Sequence, residues 1–330
     1  MTGGPTGSHL IARIARFALL SAAACAASSG LAVGPAPAQP TGVRQAVAPQ
    51  PLPESPAAPA IPPGTGRLVL QAAGLPVTVH TYRPADTAPR GPLLLVLHDE
   101  GGSAERYRDL ARPIARAHGY TIAVPQLDGE RFAGWRLAWA GIARRTFPDN
   151  GVVVTVEPAT LRLDAVLSAL VAQLRSDGGG APVPHALLGH GAGAEALLRW
   201  SAFATTEAMH IVVANPRTTL MPWRSLDFPW GFGQLPGAMA SEPVIRAFLA
   251  QPLTVVSGSS PADLGREGPA GDSLLARGRN FISAGRQAAL DMGRPVYWRQ
   301  VEVSGAGDDV GRLFAASALL QALQPFVGDE

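Results

Sequence analysis

Beyond Gly64 the chain alternates short, β-rich apolar runs with longer stretches in which apolar residues recur every three or four positions. The runs that predict strands are 67–71 (RLVLQ), 76–82 (PVTVHTY), 92–98 (PLLLVLH), 120–126 (YTIAVPQ), 185–190 (HALLGH), 210–216 (HIVVANP), 253–258 (LTVVSG) and 296–304 (VYWRQVEVS). Helical periodicity fills the gaps at 104–118, 160–176, 192–204, 243–250, 274–292 and 310–326. Only a short turn around Gly74 separates the first two strands, which suits an antiparallel pair; the later ones are joined by helices, which suits parallel pairing. LLLVL and HALLG are continuous apolar runs, as strands buried on both faces require, whereas VYWRQVEVS alternates like an edge strand. The fold class is therefore α/β, an eight-stranded, mostly parallel sheet with helices on both faces, in one domain over residues 65–330.

Two excursions interrupt this alternation, residues 129–158 and 217–240. Long connections inside a compact domain usually cover a site. The aromatic residues in them, Trp135, Trp139, Trp223, Phe228, Trp230 and Phe232, are accordingly expected to form lid loops over a pocket.

The N-terminal part has a different texture. Arg13 and Arg16 precede FALLSAAACAASSGLAV, and Ala36-Pro37-Ala38 follows. This resembles a secretory signal over residues 1–38. The apolar stretch, about 17 small residues, is marginal for a bilayer of roughly 30 Å, so a cleaved signal is preferred to a permanent span. Cys25 follows LLSAAA, which resembles a lipobox and makes a lipid anchor at Cys25 the other outcome. Residues 39–64, rich in Pro and Ala, read as an extended tether. Together these features predict an exported protein, periplasmic or extracellular, with no membrane span after signal removal.

Composition narrows the partners. Cys25 is the only cysteine, so the folded part has no disulfide. All 27 basic residues are Arg, set against 25 acidic ones without a basic run, which argues against nucleic acid. Neither Gly101-Gly102 nor Gly178-Gly179-Gly180 has the lysine and spacing of a phosphate loop. No cofactor or metal motif is found, and a small-molecule ligand or a protein partner remains.

Candidate chemistry gathers around residues 185–198, HALLGHGAGAEALL, where a strand runs through Gly189-His190-Gly191-Ala192-Gly193 into a helix. This resembles the G-x-S-x-G elbow of the α/β-hydrolase superfamily. Over about residues 66–326 the chain is similar to its secreted esterase and polyhydroxyalkanoate-depolymerase-like branch. The resemblance implies a nucleophilic serine at position 191, where this chain has glycine. It also implies a general-base histidine after the last strand, but no histidine follows His210, and Asp308 stands at that place in Gly305-Ala306-Gly307-Asp308-Asp309. The acid would be Asp263. The oxyanion hole would use the Ala192 N–H and one from the loop His98-Asp99-Glu100-Gly101-Gly102, in which Asp99 replaces the usual glycine. Turned inward, the Asp99 carboxylate would repel an oxyanion; turned outward, it would cap the turn.

Loss of both serine and histidine removes the acyl-enzyme route. The expectation is an exported α/β-hydrolase-fold protein, inactive as a serine hydrolase, with a retained pocket that includes His98 and His190. Two alternatives stand beside it. One is an active esterase using Ser257, Ser259 or Ser260 with His98; the other is an extracytoplasmic protein-binding scaffold whose Trp-rich loops form the contact surface. Acidic residues at strand ends, Asp99, Glu100, Asp128, Asp263, Asp308 and Asp309, also raise a pocket for an amine or cation.

Overall fold

The computed structural model describes residues 60–148, 151–176, 181–259 and 271–324. The expected signal, Cys25 and the tether up to residue 59 lie outside the described residues, as do Ser260 and Asp263.

Strands β1 (Gly64–Ala72), β2 (Leu75–Arg83) and β3 (Leu93–Leu97) come first, followed by helix α1 (Ala104–His118) and β4 (Thr121–Pro125). The first excursion carries the short helix α2 (Trp135–Ala138) and strands β5 (Ala143–Thr146) and β6 (Val153–Val156). Next are α3 (Leu163–Arg175), β7 (His185–His190), α4 (Ala192–Phe203), β8 (His210–Ala214) and α5 (Glu242–Leu249). The chain continues through β9 (Leu253–Ser259), α6 (Leu274–Asp291), β10 (Arg299–Ser304), α7 (Val310–Ala315) and α8 (Ser317–Ala322).

Eight strands form one sheet in the order β1-β2-β4-β3-β7-β8-β9-β10. β1 and β2 pair antiparallel through Ala73-Gly74, both at positive φ, the two-residue geometry that matches strand twist. β2 also meets β4 antiparallel, and from β4 to β10 every pairing is parallel. The central strands β3, β4, β7 and β8 are buried at every position, as their uninterrupted apolar sequences require. Among the described strands β10 pairs with β9 alone, at the end of the sheet, and none of its residues is fully buried. One apolar cluster fills the face under α3 to α6; the other joins the opposite face to α1, α7 and α8.

Two elements depart from the sequence expectation. The excursion 129–158 contains the antiparallel hairpin β5–β6, whose sequence signal is the β-branched run Val153-Val154-Thr155-Val156 after Pro, Asp, Asn and Gly in succession. The expected single helix 310–326 breaks at Ala316, which is extended at φ −70° and ψ 131°. On a continuous helix Leu319 would point about half a turn away from Val310. The break turns Leu319 and Leu323 into the cluster that already holds Val310, Leu313 and Phe314.

Candidate functional site

The centre of the sheet ends at the elbow between β7 and α4. Gly191 has φ 55° and ψ −121°, a region costly for any residue with a Cβ. Its N–H donates to Ala214 O at 3.0 Å, which fixes the turn against β8. A Cβ on Gly189 would lie 2.7 Å from Ala194 N, and one on Gly193 2.6 Å from His98 O, so the two flanking glycines allow strand and helix to touch.

The space above Gly191 is occupied by Asp99, from the loop after β3. A Cβ built on Gly191 would overlap the Asp99 carboxyl carbon and Oδ1 and lie 2.7 Å from Oδ2. The carboxylate therefore points inward, into the volume a side chain at 191 would need. Its Oδ1 accepts the N–H of Ala192 at 2.8 Å and of Glu100 at 2.9 Å. These are the two backbone donors expected for the oxyanion hole, and both are turned to Asp99. Arg217, after β8, closes the arrangement with Nη1 donating to Oδ1 at 2.9 Å and Nη2 to Oδ2 at 2.5 Å. Burial alone would raise the Asp99 pKa, but the Arg217 fork and the Ala192 and Glu100 N–H groups outweigh it and hold the carboxyl below its usual range. Arg217 is shifted upward in turn, chiefly by the bond to Asp99.

Asp308 faces the same centre from the loop after β10. Asn215 Nδ2 donates to its Oδ1 at 3.2 Å, His190 Nε2 lies 3.6 Å from that oxygen, and Arg217 Nη2 lies 3.8 Å from Oδ2. Burial raises its pKa, and His190, Asn215 and Arg217 together bring it below the carboxylate norm. Asn215, at φ 50°, also donates to Gly307 O at 2.7 Å and accepts the Gly258 N–H at 2.8 Å, so one side chain ties together the ends of β8, β9 and β10.

The two pocket histidines differ. His98 is buried with both ring nitrogens satisfied: Nδ1 is 2.7 Å from Asp99 O, and Nε2 accepts the Leu127 N–H at 2.9 Å. Burial lowers its pKa, and it is neutral. His190 Nδ1 lies 2.8 Å from Tyr107 Oη, and burial pushes the Tyr107 pKa up to about 12, so this phenol is protonated. The His190 Nε2 is buried and beyond hydrogen-bond length from Asp308.

Beneath this layer, Glu195 on α4 is fully buried and its pKa is raised by desolvation. It accepts the Arg217 N–H at 3.2 Å and the Thr218 hydroxyl. Arg199, also buried, donates to Glu195 O, Thr218 O and Pro229 O. The start of the second excursion is thus bolted to the elbow helix.

Several sequence candidates do other work. Glu100 Oε1 accepts the Gly134 N–H at 2.6 Å, Asp309 caps α7 through the N–H groups of Gly311 and Arg312, and Asp128 is exposed. The acids at the strand ends therefore disperse into caps and pairs, and among the described residues no group of three His, Cys, Asp or Glu converges as metal ligands would. Phe228 and Phe232, expected to line a pocket, belong to the core instead, because the second excursion folds them inward. Phe228 meets Trp139 edge-on, and Phe232 packs on Phe203 and Phe248. Trp135 borders a cleft of about 460 Å³ with Arg131 and Glu157, and Trp223, 40% exposed, borders another of about 400 Å³ with Arg246 and Asp291. Arg145 stacks on Trp230. Ser257 is buried against Gly278 of α6 and Gln300, while the ring nitrogens of His98 are taken by Asp99 O and the Leu127 N–H.

Sequence reasoning missed Arg217, Asn215, Tyr107 and Glu195. Asn215 before a proline at a strand end carried a turn signal. Arg217 carried none among 27 arginines.

No family model matches the chain, and no curated protein matches it. Solved structures do. Poly(aspartic acid) hydrolase-1 from Sphingomonas sp. KT-1 is 24% identical with a TM-score of 0.68, covering 80% of this chain and 99% of that one. The poly(3-hydroxybutyrate) depolymerase LpqC from Bordetella parapertussis is 24% identical with a TM-score of 0.67, covering 80% and 93%. With the strand order and the elbow, these likenesses establish that the chain has the α/β-hydrolase fold. Among the described residues no helix is long and apolar enough to cross a membrane.

Proposed function

We propose that this chain is an exported α/β-hydrolase-fold protein that does not act as a serine hydrolase and retains a pocket for a small-molecule ligand or a protein partner. One observation carries the reading: the Asp99 carboxylate fills the place of a side chain at 191 and takes the Ala192 N–H for itself. Acyl transfer needs a nucleophile, a base and unoccupied donors for the developing oxyanion. Gly191 offers no oxygen. Asp308, with its pKa held down, is a poor proton acceptor at neutral pH, and both nitrogens of His98 are engaged by backbone groups. Loss of a single oxyanion donor slows such reactions about 100- to 1000-fold. To free the Ala192 N–H here, Asp99 must also leave a two-pronged ion pair.

The test is hydrolysis of p-nitrophenyl acetate and butyrate by the full chain. The expected rate equals that of buffer. Saturable turnover abolished by Ser257→Ala, Ser259→Ala, Ser260→Ala or His98→Ala would establish the esterase alternative instead.

Export rests on the signal-like residues 1–38. Intact mass of the protein recovered from expressing bacteria should show either loss of about 38 residues or a lipid added at Cys25 after cleavage before it. A full-length, unmodified chain in the cytoplasmic fraction would overturn this part.

A further inference from the structure

We infer that the elbow is a preformed carboxylate receptor occupied in cis by Asp99, and that it takes small planar carboxylates such as formate and acetate in trans once that side chain is withdrawn. Two backbone N–H groups converge on one oxygen, and a guanidinium forks across both. Such a donor set fits a carboxylate in charge and in planar shape.

The two backbone donors and the main chain of Arg217 are held by bonds that do not involve the Asp99 carboxylate, while the guanidinium itself meets Asp99 and, at 3.8 Å, Asp308. Ala192 opens the twelve-residue helix α4, buried along its length, and the elbow before it is tied to Ala214. Glu100 is anchored through its own side chain to Gly134 N–H. The main chain of Arg217 is fixed on both sides: its N–H goes to Glu195, and its carbonyl accepts Arg277 Nη1 at 3.1 Å. Asp308 lies beside the guanidinium without displacing Asp99, its nearest approach being 3.8 Å. Removing the Asp99 carboxylate therefore vacates a site whose two N–H groups stay in place, with the guanidinium tethered beside it through the Arg217 main chain. In the native chain the tethered carboxylate competes at an effective concentration of at least the millimolar order, so dilute external carboxylate does not enter.

This inference rests on the reading of the elbow as filled by Asp99 and closed to acyl transfer. Its test uses no ester, so its failure would leave the expected absence of ester turnover untouched. The thermal midpoint of the full chain is measured in sodium formate, acetate, chloride and sulfate at matched ionic strength, for the native protein, Asp99→Gly and Asp99→Ser. Asp99→Ser retains a side-chain acceptor for the Glu100 N–H and guards the loop. Both variants should show a saturable rise with formate and acetate, of about 5 °C once the ligand exceeds its dissociation constant 100-fold. Chloride, sulfate and the native protein should show none, and Arg217→Gln added to Asp99→Gly should abolish the rise. The inference is overturned by cooperative melting of the variants without a carboxylate-specific rise, or by an equal rise in the native protein. Failure of both variants to melt cooperatively would also overturn it, because the receptor would then not stand without Asp99.

Discussion

At the scale of single residues, Gly191 and Asp99 compete for one volume. Serine at 191 must adopt a left-handed φ and also overlap the Asp99 carboxyl group. Gly191→Ser should therefore destabilise the native chain by about 2 to 5 kcal/mol, the sum of backbone strain and overpacking. In an Asp99→Gly background only the strain remains, and the cost should drop by at least about 1 kcal/mol. Urea unfolding of the four proteins measures this coupling; strict additivity would place the carboxylate elsewhere. The same carboxylate sets a pH dependence. Its folded pKa is depressed, so its contribution is fully present above the unfolded value of about 3.9 and is lost as pH falls through the folded one. The stability difference between the native protein and Asp99→Asn should thus be constant near neutrality and shrink below about pH 4. A difference that grows on acidification would mean that Asp99 is not ionised in the fold.

At the scale of elements, the segment after β8 decides whether the elbow is open. Glu195 and Arg199 on α4 hold Arg217, Thr218 and Pro229, and through them the fork on Asp99. Burial lowers the Arg199 pKa to about 10, which leaves it charged at neutral pH with its bonds inside the protein. Arg199→Met removes the cation beside the buried Glu195 and leaves the Thr218 and Pro229 carbonyls without their donor, and should cost about 3 to 5 kcal/mol in urea unfolding. A loss below about 1 kcal/mol would show that the segment is held by apolar packing alone.

The elements themselves were largely legible in the sequence. The eight strands of the main sheet follow from runs such as LLLVL and HALLGH, since burial on both faces demands continuous apolar residues. What escaped was set by tertiary contact. The break at Ala316 has no glycine or proline to announce it and exists because Leu319 and Leu323 turn to the core. Phe228 and Phe232 read as lid aromatics, yet they pack on residues distant in sequence, Phe228 on Trp139 and Phe232 on Phe203 and Phe248. The inward turn of Asp99 could not be decided from its neighbours, because its partner Arg217 is 118 residues away.

At the scale of the whole molecule, the sheet, the elbow glycines and the helix contacts keep the α/β-hydrolase architecture independent of a nucleophile. The elbow turn needs a residue that tolerates φ near 55°, and glycine meets that need without an oxygen. The loops that converge on it bring an internal ion pair to the position where chemistry would occur. The presence of the fold therefore does not by itself establish the activity.

The most direct measurement is the intact mass of the full chain after incubation with an activated fluorophosphonate, a reagent that bonds to activated serine. The expected result is no mass gain, because position 191 carries no oxygen and Asp99 fills the space above it. A stoichiometric gain mapped to a serine, lost on heat denaturation before labelling, would contradict the reading of this elbow as closed to acyl chemistry.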